Sequence, residues 1–296
     1  MKKKILLTGT TGFIGYEFLQ YALKNNYLVV DILRYKNKNN QQIKNLKKNY
    51  KKNYKTIFYR DFNEIYKKLN NLKFDFFINF STLYLKKHSF ITMQEMMNSN
   101  IIFPSLILET IKDKCDKFIN IGSMMEHEDG KNFIPLNFYA SSKSAFQMIA
   151  NFFYKNKKMY NIKLYETYGE RDSRKKIVPT IIKSIKLNKI FYIYSKKLKI
   201  NIIHVDDVIK AIDIIMRNKV KPGSYVLKNK NEINIYNLLK KLEFNLKKKL
   251  DYKFLNYQVK TIHKTNLKVM PYWISKFDLL KTLTKKLNNE NIKNKN

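Results

Sequence analysis

Residues 5–15 read Ile5-Leu6-Leu7-Thr8-Gly9-Thr10-Thr11-Gly12-Phe13-Ile14-Gly15. An apolar run feeds a glycine-rich turn and then a segment, Tyr16 to Lys24, that carries Phe18, Leu19, Ala22 and Leu23 on one helical face. A strand that turns directly into a helix leaves backbone N–H groups at the helix N-terminus, and these bind phosphate when no side chain stands in the way. Gly9 serves the tight turn, Gly12 the close approach of a pyrophosphate and Gly15 the packing of helix on strand, with Thr11, Phe13 and Ile14 in the same dinucleotide-binding turn. A plain glycine turn is the simpler alternative. The chain has only 7 glycines, however, and three of them fall at this spacing after the first strand.

The pattern continues outward from that turn. Tyr27 to Leu33 is apolar apart from Asp31, as expected for a parallel strand covered on both faces. In NAD sites an acidic side chain near the end of this strand accepts the ribose 2′-OH, whereas an arginine accommodates a 2′-phosphate. Asp31 lies inside the run and Arg34 at its end, so Arg34, helped by Lys36, is the expected 2′-phosphate partner. NADP is therefore the expected cofactor, with NAD the alternative. Residues 36–55 form a polar connector with at most a loose helix, and Thr56 to Tyr59 and Phe74 to Phe80 are the third and fourth strands. Asp61, ahead of Phe62, can reach an adenine amino group or cap a helix, and Ser81-Thr82 lie at the ligand-binding end of strand four. Met93 to Lys112 reads as one helix with Pro104 as a kink, and Lys117 to Ile121 as a fifth strand ending at Gly122-Ser123. This alternation predicts a doubly wound parallel Rossmann sheet in an α/β fold.

Composition narrows the class. The net charge of +36 raises the question of nucleic acid. Arginine occurs only at 34, 60, 171, 174 and 217, and the lysines are spread over every expected helix, which reads as a solvated surface that also favours anionic small substrates. No nucleic-acid or membrane partner is expected, since no apolar run nears the ~20 residues that span a bilayer. The single Cys115 fits a reducing compartment, hence the cytoplasm, and no metal-ligand spacing occurs among the 4 histidines.

The chemistry concentrates between residues 123 and 143. Tyr139 and Lys143 are four apart on the helix after strand five, so the phenol and ammonium share a face. A neighbouring cation is expected to lower the phenol pKa and make it a usable acid or base. Ser123 can bond the same substrate oxygen. Glu126 and His127 follow closely enough to line the substrate site, although loop polarity explains them as well.

With these residues in place, the chain resembles the extended short-chain dehydrogenase/reductases, the NAD(P)-dependent nucleotide-sugar epimerase/dehydratase superfamily. Tyr168-Gly169 and His204-Val205-Asp206-Asp207-Val208 extend the likeness. The segments 121–127 and 136–146 are most similar to CDP-abequose and CDP-paratose synthase-type reductases and epimerases, which serve cell-surface polysaccharides. The resemblance implies Ser123, Tyr139 and Lys143 as catalytic residues and Lys143 also on the nicotinamide ribose. It implies Asp61-Phe62 beside the adenine, Ser81-Thr82 near that ribose, and a homodimer. It also marks departures. Dehydratases of the superfamily place an Asp-Glu pair after the catalytic hydroxyl, where this chain has Met124-Met125, so dehydration is disfavoured. Glu166 stands for an asparagine near the substrate diphosphate, Leu33 for the acidic NAD residue, and Ile200 with Lys199 for an arginine.

The expected domains are a dinucleotide-binding unit over 1–168, a smaller α/β substrate-binding lobe over 169–287 from which 200–217 returns to the first unit, and a disordered tail over 288–296. In the lobe, Arg174 is the candidate ligand of a substrate diphosphate, joining Ser123, Met124, Glu126 and Tyr139. Asp206 or Asp207 is expected to cap the next helix, His204 to be packed, and Trp273 to anchor a closing helix over 274–287. These readings converge on an oxidoreductase that reduces a nucleotide-linked 4-keto sugar. The alternatives are a 4-epimerase that retains NAD, a non-catalytic dinucleotide sensor, or an RNA-binding member of the fold.

Overall fold

The computed structural model describes residues 2–127, 132, 134–155, 158–257 and 265–293. The first half alternates strand and helix: β1 (Lys4–Thr8), α1 (Phe13–Lys24), β2 (Leu28–Arg34), α2 (Gln41–Asn49), β3 (Tyr54–Tyr59), α3 (Asn63–Leu69) and β4 (Phe74–Asn79). It continues with α4 (Phe90–Met97), α5 (Phe103–Ile111), β5 (Cys115–Ser123), α6 (Phe138–Phe153), β6 (Lys158–Leu164) and β7 (Glu166–Tyr168). The second half holds α7 (Ile177–Lys186), β8 (Phe191–Ile193), β9 (Lys199–Ile200), β10 (Ile202–His204), α8 (Val205–Met216) and β11 (Gly223–Leu227). It closes with β12 (Ile233–Asn234), α9 (Ile235–Leu246), β13 (Tyr252–Phe254) and α10 (Leu279–Lys293).

Seven strands form one sheet in the order β11-β6-β5-β4-β1-β2-β3, and every pair in it is parallel. The sheet's two faces are apolar because both are covered. Phe18 and Leu19 of α1, Ile43 and Leu46 of α2, and Val208 and Ile212 of α8 pack one face. Ile65 and Leu69 of α3, Phe103 and Ile107 of α5, and Phe146 and Ala150 of α6 pack the other. This is the doubly wound α/β architecture expected. A third core joins α7, α9 and α10 with β8 through Val178, Ile181, Leu238, Leu242, Leu279 and Leu283, forming the smaller lobe. The strand order reverses between β1 and β4, and the crevice at their carboxyl ends is where such sheets bind ligands.

A buried polar ladder crosses four of these strands. Thr8 Oγ1 donates to Asn79 Oδ1 (2.7 Å), Asn79 Nδ2 to Asn120 Oδ1 (3.2 Å) and Asn120 Nδ2 to Asn161 Oδ1 (3.1 Å). The four residues are direct partners in register across β1, β4, β5 and β6.

Several elements differ from the sequence expectation. The helix expected over 93–112 is interrupted by a π turn, Asn98–Ile102, just ahead of Pro104. Proline lacks an N–H and clashes with the carbonyl four residues back, here Asn100, and the wider turn relieves both problems. The polar connector holds a nine-residue helix, α2, capped by Asn40 and anchored by Ile43 and Leu46. β11 lies inside the range assigned to the lobe, yet it pairs with β6 at the edge of the large sheet. The closing helix starts at Leu279 rather than Ile274, because Asp207 accepts bonds from Lys276 N (3.1 Å) and Ser275 Oγ (2.7 Å), while Asp278 caps the helix through Lys281 N (2.8 Å). That helix runs on to Lys293, where a disordered tail was expected; residues 294–296 lie outside the described residues. Trp273 is buried, but against the core of the large sheet, with its Nε1 donating to Asp207 O (2.8 Å). Neither Asp206 nor Asp207 caps α8. The packed His204 does so, its Nδ1 accepting from Asp206 N (3.2 Å), while its ring stacks on Phe277.

Candidate active site

The glycine turn is built as a close contact between β1 and β4. Gly9 has φ +73, and a Cβ there would lie 2.4 Å from Phe80 C and 2.5 Å from Ser81 N; a Cβ on Gly15 would lie 2.4 Å from Gly9 O. Gly12 is exposed and is the N-cap of α1, whose first turn has no side-chain cap and no acidic residue. A helix start of this kind, opening at the sheet's switch point, suits a pyrophosphate. Thr11 is exposed, and Phe13 and Ile14 are half-buried beside it. Beneath the turn, Thr10 Oγ1 (2.6 Å) and Tyr54 OH (2.7 Å) both donate to Asp31. Burial pushes the Asp31 carboxyl up to about 7 against the pull of those two hydrogen bonds. Asp31 thus supports the loop from below.

At the ends of β2 and β3, Arg34 is exposed and pairs in register with Tyr59. The Arg60 guanidinium lies 3.7 Å above the Tyr35 ring. Two guanidinium groups therefore flank this edge, and only Arg34 was anticipated. Lys36 is exposed nearby in sequence. Asp61 caps α3 through Asn63 N (2.9 Å) and Glu64 N (3.2 Å), and Phe62 packs against Tyr59 and Phe103.

Ser81 is buried and its N–H is held by Asn79 Oδ1 (3.2 Å); Thr82 is exposed. Asn100, in the π turn, accepts from Leu83 N (2.6 Å) and donates to Leu83 O (3.0 Å) and to Ser142 Oγ (2.9 Å). Its amide thus ties the loop after β4 to α6. Sequence reading left Asn100 without a role, although its position four residues before Pro104 marked the place.

The helix that carries Tyr139 and Lys143 starts where it does because Asn137 accepts from Ala140 N (3.0 Å). Tyr139 is met edge-on by Tyr84 at 4.9 Å between ring centroids. Burial pushes its phenol up to about 12, with a hydrogen bond from Thr82 pulling the other way. Lys143 is 2% exposed, and burial pulls its ammonium down to about 8. The expected lowering of the phenol is thus reversed: burial raises it, with the Glu126 and Glu166 carboxylates adding to the rise, and Tyr139 is held protonated.

Ser123 ends β5, with its Oγ accepting from Met125 N (3.2 Å). Two expected substrate contacts are not presented to the cleft. Met124 is buried at 2%, and Glu126 at 0% is taken up by Ser123 N (2.7 Å) and the Lys163 ammonium. His127 is buried too, with Nδ1 against Asn132 O (2.9 Å). Arg174 turns back on its own loop, donating to Asp172 Oδ1 (2.7 Å) and Thr167 O (2.8 Å), with its guanidinium 4.6 Å above the Phe13 ring. A carboxylate two residues away satisfies it locally. Lys176 lies 4.4 Å above the ring of Tyr84, the residue that meets Tyr139, and 3.0 Å from Glu166.

A glycine turn at the switch point of a parallel sheet, with a serine, tyrosine and lysine on β5 and the helix after it, defines a dinucleotide-dependent enzyme of the short-chain dehydrogenase type. Residues 5–227 match the model of the NAD dependent epimerase/dehydratase family, and the chain belongs to that family of NAD-dependent enzymes. It is 30% identical over 213 residues to a CDP-abequose synthase of Yersinia pseudotuberculosis, covering 71% of each chain. It is 23% identical over 228 residues to the CDP-abequose synthase of Salmonella muenchen, covering 76% of this chain and 74% of that protein. Among solved structures, UDP-glucuronic acid 4-epimerase from Bacillus cereus with UDP-glucuronic acid and NAD superposes with a TM-score of 0.81 at 21% identity, covering 97% of this chain and 99% of that one. Among the described residues no helix is long and apolar enough to cross a membrane.

Proposed function

We propose that the protein is a cytoplasmic, NADP-dependent 4-ketoreductase of a nucleotide-linked sugar, serving cell-surface polysaccharide synthesis as its CDP-abequose synthase relatives suggest. The observation that carries the reading is the turn after β5. Ser123 sits at the catalytic edge but is followed by two methionines, the first fully packed, so no acid–base pair stands where water would have to be eliminated. Reduction needs only one proton donor, and Tyr139 is held protonated.

A bound nicotinamide supplies the hydride. Tyr139 gives its proton to the carbonyl oxygen as charge builds there, a role worth about 10²–10⁴ in rate. Ser123 holds that oxygen at the end of β5. The Lys143 ammonium stabilises the phenolate left behind. Gly12 and the uncapped start of α1 would hold the pyrophosphate, and Arg34 with Arg60 the 2′-phosphate.

Incubation with NADPH and CDP-, UDP-, dTDP- and ADP-linked 4-keto sugars is expected to consume one NADPH per sugar reduced with one of the four nucleotides. Interconversion of 4-epimers with no net change in cofactor would replace this reading with an epimerase. Removing both guanidiniums, as Arg34→Ala with Arg60→Ala, is expected to weaken NADPH binding about 10- to 100-fold while leaving NADH nearly unchanged. Equal losses for the two cofactors, read by fluorescence titration, would count against the 2′-phosphate assignment.

A homodimer completes the proposal. Phe90, Ile91 and Met97 of α4, Leu106 of α5, and Met148 and Phe152 of α6 are all exposed on neighbouring helices. Several large apolar side chains exposed on packed helices mark an interaction site. Sedimentation at micromolar concentration is expected to read two copies.

A further inference from the structure

Lys163 is the least expected residue of the large sheet, a lysine at 0% exposure one residue before the carboxyl end of β6. Its neighbour in register on β5 is Gly122, and a Cβ there would lie 2.8 Å from Lys163 Cδ and 2.9 Å from Glu126 Oε1. The glycine lets the lysine stem cross β5. Beyond it the ammonium meets the Glu126 carboxylate and Gln147 Oε1. The other carboxylate oxygen of Glu126 accepts from Ser123 N at 2.7 Å.

The same cluster reaches the reacting helix. Tyr139, Lys143 and Gln147 follow one another at four-residue steps on α6, so they share one stripe of its surface. Gln147 binds Lys163, and Lys143 lies one turn before it. The charged groups facing Lys143 are Glu126 from the turn after β5 and Lys163 from β6; on its own helix Tyr139 precedes it. Glu126 raises the Lys143 pKa more than Lys163 lowers it, though burial outweighs both. A buried ion pair is a weak source of stability, since packed apolar residues of similar volume often serve as well.

We propose that the Lys163–Glu126 pair is a positioning device for the reacting groups: it pins the turn that carries Ser123 and fixes, from inside the sheet, the charges that Lys143 faces. The proposal rests on the reading of Ser123, Tyr139 and Lys143 as the reacting trio.

Two variants separate the parts of this device. Glu126→Gln keeps an oxygen for Ser123 N but removes the charge. Glu126→Met combined with Lys163→Met removes pinning and charge together while keeping the site filled, so it is expected to fold. With NADPH and whichever of the four nucleotide-linked 4-keto sugars the unaltered protein reduces, the double variant is expected to lose about tenfold in kcat, with the KM for NADPH nearly unchanged. In the unaltered protein turnover is expected to fall above about pH 8, as Lys143 loses its proton. Both variants are expected to move that fall to lower pH, since the larger, favourable influence on the ammonium has gone. The same movement is expected in the ¹³Cε-lysine resonance of Lys143, identified by its loss in Lys143→Met, a readout that needs no turnover. A folded double variant with unaltered kcat, or a Lys143 resonance that titrates in Glu126→Gln as it does in the unaltered protein, overturns the proposal. Full activity in Tyr139→Phe would instead overturn the trio itself, which is a different result.

Discussion

Tyr139→Phe is expected to lower kcat about a thousandfold while leaving NADPH affinity and Tm nearly unchanged. The ring itself is a packing element, met edge-on by Tyr84, and phenylalanine keeps that contact. What is lost is the hydroxyl, which burial holds protonated up to about 12. A variant that keeps kcat within tenfold of the parent would remove Tyr139 from the reaction, and stopped-flow oxidation of NADPH measures it directly.

The second large effect is on the fold as well as the cofactor. Gly9→Val is expected to destabilise the protein by about 3 kcal/mol or more, combining a left-handed backbone that valine resists with overpacking against a neighbouring main chain. The contact is Phe80 C at 2.4 Å, backbone that cannot swing aside as a side chain would. Gly12→Ala is the contrasting case. A Cβ there meets only Gly9 O at 3.2 Å, and Gly12 has an ordinary φ of -86. Stability should change little while dinucleotide affinity falls, because the added methyl stands at the uncapped helix start. Thermal denaturation and NADPH titration on the two variants together separate packing from binding; a Gly9→Val protein with the parent Tm would contradict the geometry.

Local patterns in the sequence carried most of the fold. The glycine turn, the continuous apolar strands and the alternation to residue 123 all report their environment within a few neighbours. The edge strand β11 was harder, because its partner β6 lies some sixty residues earlier and nothing local in Gly223–Leu227 distinguishes one sheet from another. The same reason hid the Lys163 cluster. A lysine in a strand of a lysine-rich chain looks like surface until Gly122, Glu126 and Gln147 are brought around it from three elements. Glu126 itself was visible, but its proximity to Ser123 in sequence suggested the cleft, whereas its carboxylate turns inward. Arg60 likewise gained meaning only when Tyr35 came beneath it. The tyrosine's protonation could not be read from Lys143 alone, since enclosure by neighbouring elements acts on both groups.

The row of Thr8, Asn79, Asn120 and Asn161 has a consequence for assembly. Sliding any one of these strands by a single position would turn its amide or hydroxyl to the opposite face and orphan its neighbours, each at about 1–3 kcal/mol. Misaligned pairings are thereby penalised where apolar side chains alone would tolerate them. Because the row spans from the strand that ends in the glycine turn to the one that bears Lys163, four buried side chains bring the glycine turn and the Lys163 cluster into step.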